Sequence, residues 1–186
     1  MIDAREFPSS GDFRSWLAEN HATATEVWVA IHKVATGNPS ITWEDGVREA
    51  LCWGWVDAVK KGGKDIWYQR FTPRRPKSVW SERNRKHVED LLEKGLMMPA
   101  GLAQVDKAKA DGRWDAAYAG QKDMVIPQDF LAELAKDPKA QAMYDTLNRQ
   151  NLFTIYYRVT SAKKPETRAK RIAKLIDTLA RGERFY

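Results

Sequence analysis

Cysteine is almost absent from this chain, and its scarcity excludes a good deal. One thiol, Cys52, can close no intrachain disulfide and build no cysteine-based zinc site. It lies in an apolar helical stretch, which reads as a buried, inert thiol. Histidine is equally thin. His21, His32 and His87 are too scattered for a metal site, and no His-Glu-x-x-His pattern links them. No segment approaches the ~18 consecutive apolar residues of a membrane helix. Residues 1–7 lack the basic start and apolar run of a signal peptide, so the expectation is a cytoplasmic protein without a membrane span. Gly62-Gly-Lys64 lacks the rest of a phosphate-loop pattern and reads as a hairpin tip. There is no repeat and no low-complexity tract, and no cofactor is expected.

What the chain does have is aromatic mass and positive charge. Eight Trp, six Tyr and six Phe in 186 residues supply ample apolar area for a core. The net charge of +6 permits phosphate or polyanion binding without requiring it. Charge runs in alternating blocks, −4 over residues 1–60, +6 over 61–113, −3 over 114–147 and +7 over 148–186. Packing of opposite blocks therefore competes with polyanion binding as the reason for the basic ones. The oligomeric state is left open.

Ser9 to Phe13 opens a helix with Phe13, Trp16 and Leu17 on one face. Glu26 to Lys33 alternates as a strand, with Val27, Val29 and Ile31 on one side and Trp28, Ala30 and His32 on the other. Thr42-Trp-Glu-Asp45 has the form of a capping box and starts a helix that Gly54 ends. Strands over 55–60 and 65–72 follow, joined at Gly62-Gly63 by a tight turn. The first and second strands, joined through a helix, are expected to be parallel neighbours. From Ser78 onward the pattern is helical throughout. The expected fold is α+β in a single domain, 1–186: a small three-stranded mixed sheet with helices over 1–80, then an all-helical part over 81–186.

Lys60 to His87 carries ten Lys or Arg against two acids. Within it, prolines at 73 and 76 hold Thr72-Pro-Arg-Arg-Pro-Lys77 in an extended turn, and arginine forks suit phosphate or carboxylate. Helix N–H groups after Ser78 add an anion seat. Arg70, Arg74, Arg75, Lys77, Ser78, Trp80 and Arg83 would ring one ligand site, with Trp55, Trp67 and Tyr68 as an aromatic wall. The competing reading makes the arginines structural clamps and the tryptophans core. His32 and Asp57, if on neighbouring strands, are the candidates for an acid–base pair.

Three separated blocks carry a resemblance: Leu51-Cys-Trp-Gly-Trp-Val-Asp57, Gln69 through Ser81, and Ala162 through Ile172. With Gly95, Pro99-Ala-Gly-Leu102 and Asp111-Gly-Arg-Trp114, they resemble the YdeI/OmpD-associated, or bacteriocin-protection, family over residues 25–182. The resemblance implies a link to antimicrobial-peptide resistance and carries over no catalytic residue. The leading expectation is thus a binding protein holding a small anionic or phosphorylated ligand at the Arg-Arg turn. A nucleic-acid binder and a His32/Asp57 enzyme are the alternatives.

Overall fold

A computed structural model describes residues 2–185. The chain divides into two compact units, residues 1–117 and 118–186, each with its own hydrophobic core.

The first unit contains β1 (Ala4–Glu6), α1 (Ser10–Asn20), β2 (Val27–His32), α2 (Trp43–Cys52), β3 (Trp55–Lys61), β4 (Ile66–Pro73), α3 (Glu82–Glu93) and α4 (Pro99–Ala110). The sheet has four strands in the order β1-β2-β4-β3, not three. The additional strand, β1, is three residues long and half-buried at most, so no alternation marks it in the sequence. It runs parallel to β2 and is joined to it through α1, as a parallel pair requires a crossover. The parallel neighbours are therefore β1 and β2. β2 and β3 also run in one direction, but β4 lies between them, antiparallel to both. The β3–β4 connection is wider than a two-residue turn. Neither Gly62 nor Gly63 has positive φ, and residues 62–65 all lie outside the strands.

Alternation sorts β2, β4 and the start of β3. Val27, Val29 and Ile31 of β2, Phe71 of β4 and Trp55 of β3 enter the core with Phe13 and Leu17 of α1 and Val47 and Leu51 of α2. Both helices start on capping boxes, Ser9 with Asp12 and Thr42 with Asp45, in which side chain and backbone satisfy each other across the first turn. Gly54, at φ +75°, ends α2 and turns the chain directly into β3.

The second unit contains α5 (Gln128–Leu134), α6 (Pro138–Tyr144), α7 (Arg149–Thr160) and α8 (Pro165–Ala180). Its core is Phe130, Leu134, Ile155, Val159, Ile172, Leu175 and Leu179. Arg168 of α8 grips Asp129 of α5 with two nitrogens and also donates to the Val159 carbonyl of α7 at 2.9 Å, tying three helices together. Arg171 donates to the Arg158 carbonyl at 2.7 Å. Part of the basic face of α8 thus serves as internal mortar. Among the described residues no helix is long and apolar enough to cross a membrane.

Candidate functional site

The basic stretch 60–87 does not form one surface. Arg70 lies on the sheet face opposite the core and pairs with Glu26. Arg74 turns inward. It is 6% exposed, its guanidinium carbon lies 3.6 Å from the centre of the Trp80 ring, and it donates to the Val79 carbonyl at 3.2 Å. Arg75 and Lys77 are exposed. Ser78 closes the turn rather than a helix, its hydroxyl accepting the Arg75 N–H at 3.0 Å. The α3 cap is Ser81, which accepts the Asn84 N–H. Arg83 stacks on Trp43 and pairs with Glu44.

The aromatic residues separate in the same way. Trp55 and Trp80 are fully enclosed in the core, and Trp55 donates its indole N–H to the His21 carbonyl at 3.2 Å. Trp67 and Tyr68 are consecutive in β4 and so face opposite sides of the sheet. Both are half-buried, and Trp67, on the core side, borders a hollow. Cys52 is buried, and burial pushes its thiol up to about 11.

Among the hollows of the first unit, one is lined by Arg74 and another by Asp57. The first, of about 360 Å³, opens beside the arginine turn and is lined by Arg74, Pro76, Gln104, Lys107, Ala110, Asp111 and Arg113. Three cations meet one carboxylate there. Asp111 takes the Arg113 side chain at 2.8 Å, while another Arg113 nitrogen donates to the Ser78 carbonyl at 2.8 Å. Lys107 and Arg113 come from α4 and its C-terminal turn, far along the chain from the Arg-Arg turn. Asp111-Gly-Arg-Trp114 is part of the resemblance, but nothing in it tied Arg113 to the Arg-Arg turn, and Lys107 lies outside it.

The second hollow lies on the core side of the sheet, where Trp43, Asp57, Ala58, Lys60, Trp67 and Gln69 surround about 420 Å³. Asp57 shares the face of Trp55, as i,i+2 alternation dictates, and this marks it as an inward acid. Burial raises its pKa above the ordinary carboxylate value of 3.8, against the hydrogen bonds from its own backbone and the Trp43 side chain and the fields of Arg74 and Arg83. His32 is not its partner. His32 pairs in register with Ile66 and Asp57 with Phe71, on opposite sides of β4 and five residues apart along it. His32 instead meets Asn38 at 3.3 Å and Glu6 at 3.5 Å. Among the described residues, no three of His, Cys, Asp and Glu gather into a metal-binding group.

The Asp57 environment has a signed consequence. An acid whose folded pKa is raised holds its proton more tightly when folded. Its contribution is therefore fully present below the unfolded pKa and is lost as pH rises through the folded one. Asp57→Asn should gain on the wild type as pH climbs from the ordinary carboxylate value of 3.8, and the difference should level off at higher pH. Urea denaturation across an acid-to-neutral pH series tests this. A difference independent of pH would show that Asp57 titrates alike in both states.

Comparison with known families gives two matches, one within each unit. Residues 5–104 match the family described as a domain of unknown function (DUF8412). Residues 123–182 match the family described as bacteriocin-protection, YdeI or OmpD-associated. The second match includes the 162–172 block but not the blocks at 51–57 and 69–81, so it covers less of the chain than the expected 25–182. No curated protein and no solved structure matches the chain.

Proposed function

From a chain that belongs to the DUF8412 family and whose residues 123–182 match the bacteriocin-protection, YdeI or OmpD-associated family, we propose a binding protein for a small anionic ligand. The ligand sits in the hollow between the Arg74–Pro76 turn and α4. One observation carries this reading: Arg74, Lys107 and Arg113 line the same hollow with Asp111 as its only acid. An anion there gains charge-assisted hydrogen bonds from Lys107 and Arg113, with the buried Arg74 guanidinium adding its field from behind. The separation of His32 from Asp57 favours binding over acid–base catalysis. The division of the basic stretch between two sheet faces, the core and the turn favours a small ligand over a nucleic-acid backbone.

Thermal shift with inorganic phosphate, pyrophosphate and citrate tests the reading, on wild type and on Lys107→Glu. Lys107 is exposed, so its replacement leaves the fold intact. A probe at 100 times its dissociation constant should stabilise the wild type by about 2.7 kcal/mol, and the variant should lose that shift. Equal shifts in both proteins, or none with any probe, would remove the reading.

A further inference from the structure

The second hollow is built by an irregularity in β3. Residues three apart in a regular strand face opposite sides. Here Asp57 pairs with Phe71 and Lys60 with Gln69, so three steps along β3 match two along β4. This one-residue bulge turns Asp57 and Lys60 to the same face, the face of Trp67. Gln69, 2% exposed, fixes the bulge by donating its amide to the Val59 carbonyl at 3.3 Å and to the Arg70 carbonyl at 3.1 Å. The Thr42 capping box fixes the start of α2 and with it Trp43, which lines the hollow together with Asp57.

The result is a carboxyl group in a hollow that two indoles also line. Each indole has a cation over it: the Lys60 ammonium 4.1 Å from the Trp67 ring centre and the Arg83 guanidinium 4.4 Å from that of Trp43. Exposed contacts of this kind are weak enough to exchange for a stacked ring. Beyond the same two tryptophans a further hollow of about 580 Å³ continues along His32, Lys33, Asn38 and Ser40. Glu44 already engages Arg83, so Lys33 and Lys60 are the remaining cations at the two ends of this space.

We propose that the Trp43–Trp67 hollow is a site for a nucleotide-like ligand, a flat heteroaromatic ring with N–H donors on one edge and an anionic tail. The ring stacks on Trp67 in place of Lys60 and donates its edge to the Asp57 carboxyl, as a guanine edge can. The displaced Lys60 ammonium then meets the anion. A neutral sugar would use the indoles and leave both lysines without a role.

Isothermal titration with GMP, guanosine and a methyl glucoside tests the site on the full chain. GMP should bind the wild type best, with guanosine roughly tenfold weaker for want of the charge contact. Lys60→Glu, on an exposed strand edge, should weaken GMP by more than about tenfold and should not weaken guanosine, whose ring loses only a competitor for Trp67. Trp67→Leu should abolish guanosine binding, and Lys107→Glu, in the other hollow, should leave guanosine, which carries no anion, unchanged. Failure of GMP to bind, tighter binding of the glucoside, or GMP affinity unaltered by Lys60→Glu would each overturn the proposal.

Discussion

Arg74→Ala should destabilise the first unit by about 3 kcal/mol, whereas Arg75→Ala should stay within about 0.5 kcal/mol of the wild type. The two residues share a charge, a turn and a pair of flanking prolines, yet differ in where the turn sends them. Arg74 is nearly sealed from solvent, flat against Trp80, and hydrogen-bonded to the Val79 carbonyl. A desolvated guanidinium–indole stack contributes about 2 kcal/mol, and a charged hydrogen bond about 1.5–3 kcal/mol. The cost of burying the guanidinium offsets part of that sum. Truncation also leaves a cavity beside Trp80, which itself packs edge-on against Trp114 with ring centres 5.0 Å apart. Arg75 engages Ser78 through its backbone, its N–H donating to the hydroxyl and its carbonyl accepting the Ser78 N–H, and alanine retains both. Urea denaturation of the two variants decides the matter, and equal effects would contradict the inward placement of Arg74. Arg74→Met, which keeps the stem volume, should recover part of the loss.

Gly101→Ala should be comparably damaging, at about 3 kcal/mol, the upper end of what an overpacked core usually costs. Gly101 stands in the first turn of α4, directly over the end of α2. A Cβ there would lie 2.3 Å from the Cys52 carbonyl oxygen and 2.7 Å from that of Leu51. Both are backbone atoms at a helix end, and no rotamer change moves them away. The Cys52 carbonyl also accepts the Met98 N–H at 3.1 Å, the bond that seats the start of α4. Gly54 meets the same constraint from the other side, since its own Cβ would fall 2.8 Å from the Ala100 carbonyl oxygen. Gly62→Ala is the matched control, with nothing within 4 Å and no positive φ. The check is the midpoint of thermal or urea unfolding. A Gly101→Ala protein as stable as Gly62→Ala would show that α4 can lift away without cost.

The features legible in the sequence are those written within a few residues. Thr42 with Asp45 announces the start of α2, and Ile172, Leu175 and Leu179 announce the buried stripe of α8. Pro99 marks the first turn of α4 in the same way. Features that depend on distant partners were not legible. Ala4-Arg5-Glu6 becomes a strand only because β2 offers it an edge. The order of β2, β4 and β3 follows from pairing that no local pattern encodes. Ala58 and Val59 carry no glycine or proline to announce a bulge, so the co-location of Asp57 with Lys60 was invisible. Pro99-Ala-Gly-Leu102 could be matched as a motif, but the reason for its glycine lies in the carbonyls of α2. The candidate site was half visible: the Arg-Arg turn was, while its neighbours Lys107 and Arg113 were not.

The same bulge bears on how copies of this protein behave toward one another. β3 is one border of the sheet, and an unpaired strand border is the usual place for chains to zip together into aggregates. Here that border is kinked at residues 58 and 59 and followed by the two lysines at 60 and 61. The opposite border, β1, offers three residues, too short a template for another strand to grow on. Both margins of the sheet are thereby poor templates for further strands, and the irregularity that shapes a hollow on one side also works against pairing of copies along that border.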